Sequence, residues 1–585
     1  MSTTSDLSLD FRNANSLWCS VIVETLVRCG VTHAVSSPGS RSTPLTMAFA
    51  RHPKIETIPV LDERSAAFFA LGLAKRQLRP TVLICTSGTA GANYFPAVIE
   101  AQESGVPLLV LTSDRPPEMR ECASGQTIDQ QKLFGSHVNW YHEFAVPEAS
   151  LDLLRYLRQT VAQAYVRAAA PALGPVHLNL PFRDPLPPIN DGRAGALAPQ
   201  FPTDFFEHLK PLATSVSQGV IWQRPITARG LIIAGAAAGT EPQRYASSVF
   251  ALARSLGWPI LADALSPLRN YVSGEDYVVT TYDTVLRDAG VARSLLPRYV
   301  LCLGGWPISK VLRGWLEESQ AEILLVSPTV ANRDALHGKT RQLIAPVETV
   351  SAAGKEKIDP TYRELWHSAD RAARVAFRAM FAREDASQFE GQAVWRLAQV
   401  LPRETPVVIA NSMPVRDAEY FWTANDRALN PVFNRGANGI DGTLSTALGV
   451  AHGGRPAVLL TGDLALLHDT NGFLHRPHFR GSLTIVLINN AGGGIFEHLP
   501  VAQFNPQFEK FFATPQEVDF LNLSAAYGVS YELVSDWSRF TELVSVLPVQ
   551  GIRVLEIKTD RKRDAAFRKK IFAAMAAEVA RALRV

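Results

Sequence analysis

The stretch Ala457–Gly472, AVLLTGDLALLHDTNG, opens with an apolar run of strand length and turns polar at Gly462-Asp463. A second run, LTIVLINNAGGGIF (483–496), does the same at Asn489-Asn490 and then enters three glycines. Uninterrupted Val, Ile and Leu of this length predict strands buried on both faces, as in a parallel sheet. In open parallel sheets ligands bind beyond the carboxyl ends of the strands, where Asp463 and Asn490 stand. A hard cation such as Mg²⁺ takes oxygen ligands: carboxylate, amide oxygen, backbone carbonyl and phosphate oxygen. Asp463 and Asn490 offer the first two, and Gly492 lets the backbone approach closely enough to offer its carbonyl. Taken singly, each is equally read as an ordinary strand-end turn. Their spacing suits one strand–helix–strand passage.

The same pattern recurs outward from this stretch. THAVSS, TVLICTS, PLLVLTS, VHLNLP, GLIIAG, YVLCLG, EILLVS, PVVIAN and RVLEIK alternate with longer helical patterns over the 585 residues. Two breaks interrupt them, PFRDPLPPINDGRAGALAPQFP (181–202) and APVETVSAAGKEKIDP (345–360). The chain therefore reads as α/β, with three doubly wound, mostly parallel-sheet blocks at 1–185, 200–345 and 375–585. A hydrophobic fraction of 47% supports large cores, and a net charge of only +3 gives no electrostatic case for a nucleic-acid partner. No apolar run reaches the roughly 18 residues of a membrane span, and the N-terminus lacks a signal-peptide pattern. Five scattered cysteines without a CxxC spacing predict reduced thiols and a cytoplasmic location. The basic C-terminal segment, with Phe567, Ile571, Met575, Val579 and Leu583 every four residues, reads as a helix docked on its own domain.

A further carboxylate needs explaining. In LDERSAAFF (61–69) two acids stand where a strand gives way to an apolar helix. Local pattern assigns Asp62 as a cap and Glu63 as a first-turn acid favoured by the helix dipole. Neither GLIIAGAAAG (230–239) nor SGTAGAN (87–93) has the GxGxxG spacing of a dinucleotide site.

The pair Gly462-Asp463 and Asn489-Asn490 resembles the metal–diphosphate motif of thiamin-diphosphate enzymes, with Leu464 where the common motif has a third glycine. SSPGSRSTPL (36–45), DERSAAFFALGLAK (62–75), TSGTAGANYFPAVIEA (86–101), LTSDRPPE (111–118), ANSMPVRDAE (410–419), NRGANGIDGTLSTALG (434–449) and NNAGGGIFEHLP (489–500) narrow it. In that order they closely resemble the MenD-type family, the 2-succinyl-5-enolpyruvyl-6-hydroxy-3-cyclohexene-1-carboxylate synthases of menaquinone and phylloquinone biosynthesis. The resemblance implies a pyrimidine-binding domain at 1–185, a central domain at 200–345 and a diphosphate- and metal-binding domain at 375–585. It implies thiamin diphosphate with Mg²⁺ or Mn²⁺, held through Asp463, Asn490 and the carbonyl of Gly492. Gly462 and Ser412 would adjoin the cofactor, and Ile440 would prop it in a bent shape. Glu63 would hydrogen-bond the cofactor's pyrimidine ring and favour the tautomer that activates it.

The family's reaction decarboxylates 2-oxoglutarate and adds the resulting carbanion equivalent to isochorismate. Both substrates are dicarboxylates, which Arg forks suit. The matching motifs supply Ser40, Arg41, Arg115, Gln126, Ser412, Arg416 and Arg435, with Ile495, Phe496 and Leu499 as an apolar wall. Lys310 is the counterpart of a basic family residue in the central block, although Val311 follows it where some members have Arg. Families of this kind share the cofactor between subunits, which implies a homodimer, or a dimer of dimers. Another thiamin-diphosphate 2-oxoacid decarboxylase, an acetolactate-type synthase, or a catalytically silent relative is the alternative.

Overall fold

The computed structural model describes residues 9–212, 219–223, 229–237, 241–274, 277–353, 359–383 and 389–584. Gly239 of the GLIIAGAAAG run lies outside them. The chain forms two compact units. The first holds the described residues of Met1–Ser215 together with Asn434–His452 and Asp469–Arg480. The second holds those of Val216–Phe433, Gly453–His468 and Gly481–Val585.

The first unit is built on β1 (His33–Ser36), β2 (Glu56–Pro59), β3 (Thr81–Cys85), β4 (Leu108–Asp114), β5 (Trp140–Glu143) and β6 (Pro175–Pro181). They form one parallel sheet in the order β2-β1-β3-β4-β6-β5. Every residue of β3, β4 and β6 is buried, as expected of central parallel strands covered on both faces. Helix Glu63–Gln77 covers this sheet and is crossed by helix Thr443–Ala451, a segment far away in sequence. The crossing is made by two glycines. A Cβ on Gly72 would lie 2.1 Å from the Thr446 carbonyl oxygen, and one on Gly449 would lie 2.1 Å from that of Phe69.

The second unit carries β7 (Val220–Gln223), β8 (Gly230–Ala234), β9 (Ile260–Ala262), β10 (Val278–Val279), β11 (Tyr299–Leu303), β12 (Glu322–Ser327), β13 (Lys339–Ile344) and β14 (Val350–Ala353). Of these, β10-β9-β8-β11-β12-β13 form a parallel sheet and β14-β7 a small one. The third large sheet uses β15 (Pro406–Ile409), β16 (Asn430–Val432), β17 (Ala457–Gly462), β18 (Ser482–Asn489), β19 (Ser530–Leu533) and β20 (Gly551–Lys558). Its order is β16-β15-β17-β18-β20-β19, all parallel. Asp463 follows β17 and Asn490 follows β18, so the opening stretch places both at the carboxyl ends of adjacent strands. The C-terminal helix Arg561–Leu583 buries Phe567, Ile571, Met575 and Val579 in one cluster with Tyr362, Trp366 and Phe377. It is docked on its own unit, with Lys562, Lys569 and Lys570 exposed.

Two buried histidines give the first unit a pH dependence. His177, in β6, is fully buried against Phe134 and Tyr141, and its Nε2 lies 2.7 Å from the Thr112 hydroxyl. Burial pushes its pKa down to about 3. Burial, with the neighbouring charges of His452 and His478, likewise pushes His475 down to about 3. The unfolded chain therefore takes up protons first as pH falls below 6.5, and stability is lost between there and about pH 3. Each histidine steepens that loss by at most about 1.4 kcal/mol per pH unit. Urea unfolding at pH 7 and pH 5 should show a shallower pH slope in His177→Gln than in the wild type. An unchanged slope would contradict this reading.

Candidate active site

In the second unit, Asp463 begins the short helix Asp463–His468 and is 5% exposed. Its Oδ1 accepts the Leu464 N–H at 2.8 Å and its Oδ2 accepts the Gly492 N–H at 2.7 Å. Burial pushes its pKa up to about 6, and these backbone donors partly offset that. Leu464 is helical, so the third position of the motif requires no glycine here. Gly492 does require one, because its φ is +125° and a Cβ would lie 2.3 Å from the Ala513 carbonyl oxygen. Asn490 donates from Nδ2 to Glu390 Oε2 at 2.9 Å, while its Oδ1 is buried with no hydrogen-bond partner. A buried amide oxygen without a donor is costly unless a ligand completes it. Among the described residues no group of three or more His, Cys, Asp or Glu is placed to hold a metal alone. Asp463 and Asn490 Oδ1 instead offer oxygens of the kind a divalent cation takes, while the Gly492 carbonyl accepts the Gly494 N–H at 2.8 Å.

Near these strand ends, Ser412 holds φ +69°, a strained backbone for a non-glycine residue. Its carbonyl accepts Arg416 Nη1 at 2.7 Å, and burial lowers the Arg416 pKa. Ile495 and Phe496 lie in the 3-10 turn Gly494–His498, where the Phe496 ring meets Phe512 at 5.8 Å, and Leu499 follows at 40% exposure. Lys310 is the exposed first residue of helix Lys310–Ser319, capped by Ser309. At the strand ends of the central sheet, Gly235 runs against Gly305, where a Cβ would lie 1.5 Å from the Gly305 carbonyl oxygen.

In the first unit the acids of LDERSAAFF separate by role. Asp62 Oδ1 caps the helix, accepting Arg64 N at 2.9 Å and Ser65 N at 3.3 Å, and its Oδ2 accepts Asn471 Nδ2 at 2.7 Å. The cap is thus provided without Glu63, the half-buried first helical residue. Buried Cys85 and Tyr94 lie within its electrostatic reach, and both have pKa values raised, chiefly by burial. Ile440 precedes Gly442, whose φ is +63° and whose Cβ would overlap the Phe68 ring. The loop bearing Arg435 and Ile440 is held from below. Gly436 N and Ala437 N donate to Glu100 at 3.0 and 2.7 Å, and Lys75 lies 3.6 Å from the same buried carboxylate. Local pattern read Glu100 only as a helix residue. Its one sequence signal is an acid on the apolar face of PAVIEA.

Arg41 and Arg115 come within electrostatic reach of one another. Arg41 is 7% exposed, donates from Nη1 to the Phe182 carbonyl at 2.9 Å, and has its Nε buried without a hydrogen-bond partner. Burial first, and the Arg115 charge next, lower its pKa. Arg115 donates to Ser87 Oγ at 2.8 Å and to the Gly125 carbonyl at 2.9 Å. Gln126, at φ +56°, donates from Nε2 to the Ser87 carbonyl at 3.1 Å, while Ser87 Oγ donates to the Gln126 carbonyl at 2.9 Å. Gln130 pins the same loop, accepting Gly88 N at 2.9 Å and donating to Asn179 Oδ1 at 3.0 Å. Ser40 is exposed beside Arg41. Two close guanidiniums favour an anion between them. Ser87 and Gln130 were not singled out from sequence, because a Ser and a Gln in loops carry no local signal.

Comparison with known proteins places all three parts of the chain among thiamine pyrophosphate enzymes. Residues 19–133 match the family described as thiamine pyrophosphate enzyme, N-terminal TPP binding domain. Residues 205–409 match the middle domain of thiamine pyrophosphate enzymes, and 415–555 the C-terminal TPP binding domain. Three proteins named 2-succinyl-5-enolpyruvyl-6-hydroxy-3-cyclohexene-1-carboxylate synthase are close relatives. The one from Microcystis aeruginosa is 52% identical over 95% of this chain and 98% of its own length. Those from Rippkaea orientalis and Gloeothece citriformis are 49% and 51% identical over 98% and 96% of this chain, and each is covered over 98% of its own length. The chain belongs to the 2-succinyl-5-enolpyruvyl-6-hydroxy-3-cyclohexene-1-carboxylate synthase family of thiamine pyrophosphate enzymes.

Proposed function

We propose that this chain joins 2-oxoglutarate to isochorismate with loss of CO₂, giving 2-succinyl-5-enolpyruvyl-6-hydroxy-3-cyclohexene-1-carboxylate for menaquinone or phylloquinone biosynthesis. Thiamin diphosphate, when bound, supplies the electron sink for decarboxylation and carbon–carbon bond formation. The observation that carries the reading is the orphaned Asn490 Oδ1 beside buried Asp463. Asp463, Asn490 and the Gly492 carbonyl would hold Mg²⁺ or Mn²⁺, with Gly462 and Ser412 beside the diphosphate. Glu63 would hydrogen-bond the pyrimidine ring of the cofactor, and Ile440 would prop the cofactor as a whole. Ser40, Arg41, Arg115, Gln126, Lys310, Ser412, Arg416 and Arg435 bind and orient substrate carboxylates and hydroxyls. Ile495, Phe496 and Leu499 exclude water that would otherwise protonate the carbanion equivalent.

The test is an assay with thiamin diphosphate, Mg²⁺, 2-oxoglutarate and isochorismate, following adduct and CO₂ together. Stoichiometric adduct is expected. Rapid release of succinic semialdehyde unaffected by isochorismate would make the protein a simple decarboxylase instead.

The minimal active unit is a homodimer, with a dimer of dimers as its larger form. Exposed Leu499, Phe504, Phe511 and Leu521 at 40–64% support this, since a second copy covering them would remove their apolar surface from water. Sedimentation should give twice or four times the 63.9 kDa chain mass. A fully active monomer would overturn it. The unpaired cysteines favour a cytoplasmic location. Among the described residues no helix is long and apolar enough to cross a membrane.

A further inference from the structure

The terminal helix Arg561–Leu583 places one fully buried cation, Arg568, behind the Asn490 strand end. Arg568 Nη2 donates to Glu390 Oε1 at 2.6 Å, and the second oxygen of that carboxylate accepts Asn490 Nδ2 at 2.9 Å. Arg568 is held in turn by Asp417, which accepts its Nε and Nη2 at 2.9 Å each. Its Nη1 lies 3.1 Å from His498 Nε2, and its guanidinium lies 5.2 Å from the centre of the Phe389 ring. Asp564, on the same helix, accepts the Glu390 backbone N–H at 3.1 Å. The helix also reaches the next residue of the loop, where Arg561 Nη1 donates to the Ala491 carbonyl at 2.8 Å and Ala491 holds φ +60°.

We infer that Glu390, fixed by Arg568 of the terminal helix, is a positioning residue that sets which face of the Asn490 amide is presented to the metal; the inference rests on the cation-binding role proposed for Asn490. The two ends of an amide differ only in what they donate or accept. A carboxylate locked to an arginine can only accept, so it takes the Asn490 nitrogen and turns the oxygen outward. Gly494 leaves room for that nitrogen, since a Cβ there would lie 2.7 Å from Asn490 Nδ2. Outer partners of this kind commonly change metal affinity 10- to 100-fold, a range of about 1.4 to 2.8 kcal/mol.

The change Glu390→Gln gives the opposite result with almost no change in shape. The new side-chain carbonyl must face the Arg568 donors, so its NH₂ faces Asn490. Asn490 then flips to accept that donor and points its own NH₂ at the cation. An Asn490→Asp change alone sets two carboxylates face to face. With both changes together, the amide at position 390 donates to one oxygen of the carboxylate at position 490 and leaves the other for the metal.

The experiment measures Mn²⁺ binding by the loss of the free-ion electron paramagnetic resonance signal, in chelator-treated protein with thiamin diphosphate added. Melting temperature is read in parallel. Asp463→Ala and Asn490→Ala test the metal site itself: wild-type affinity in both would sink the cation-binding reading. With that site established, Glu390→Gln and Asn490→Asp are each expected to bind Mn²⁺ at least about tenfold more weakly. The double variant should recover most of the loss. Asp417→Asn, which touches Arg568 but not Asn490, should stay within about twofold of the wild type. Undiminished affinity in Glu390→Gln, failure of the double variant to recover while folded, or an equal loss in Asp417→Asn would each overturn the positioning role.

Discussion

Glu63→Gln is expected to keep cofactor binding within a few-fold of the wild type and to lower kcat by about 10²- to 10⁴-fold, the usual contribution of a positioned proton-transfer group. The substituted amide retains the shape and a hydrogen bond, but it cannot share a proton with a ring nitrogen. The helix keeps its cap, which Asp62 provides, and loses only the small dipole contribution of one first-turn charge. Stability should therefore stay within about 0.5 kcal/mol. Cofactor titration by tryptophan fluorescence and single-turnover decarboxylation separate the two effects. A variant that turns over near normally would remove Glu63 from the activation step, and one that no longer binds cofactor would make its role structural.

Asp463→Asn is expected to raise the Mg²⁺ concentration for half-maximal cofactor binding by on the order of a hundredfold or more, above the range of outer partners. The change keeps volume and removes one oxygen ligand and its charge. The pH dependence should change with it. The buried Asp463 carboxyl has its pKa pushed up to about 6, so in the metal-free wild type a proton competes with the cation as pH falls through that value. Wild-type metal affinity should thus drop between pH 7 and pH 5, while the weak residual affinity of Asp463→Asn should not follow that curve. Calorimetric titration at the two pH values measures both. Equal affinities in the two proteins at pH 7 would remove Asp463 from the metal shell.

The central strands of all three large sheets were legible in the chain because a strand covered on both faces must be apolar throughout. TVLIC, LLVLTSD, YVLCL and SLTIVLIN are nearly wholly buried. Some edges were not legible. Lys339–Ile344 is a strand with only partial cover, and Trp140–Glu143 carries Tyr and His side chains into a polar network. Such segments pair through backbone hydrogen bonds that leave no apolar period in the sequence.

The residues proposed to meet ligand were legible in part for a similar reason. Asp463, Asn490 and Gly492 lie where a strand must end, and Glu63 follows a capping aspartate. Their supports were not. Glu100 holds the Arg435 loop and Glu390 the Asn490 amide, each from a distant part of the chain, and Gln130 ties the Gln126 loop to distant Gly88 and Asn179.

By itself, the sequence determined the parallel α/β class, the strand ends that carry Asp463 and Asn490, and the family, because these depend on local runs and short motifs. Tertiary structure alone decided that the capping Asp62 also accepts the side chain of distant Asn471, and that helix Thr443–Ala451 packs on Glu63–Gln77 through Gly72 and Gly449. It alone decided that the terminal helix buries Arg568 against Glu390 and Asp417. The reason is the reach of the forces. Periodicity records which face of an element is dry, but a buried hydrogen bond or charge pair is satisfied by whichever partner folding brings to it, at any sequence distance.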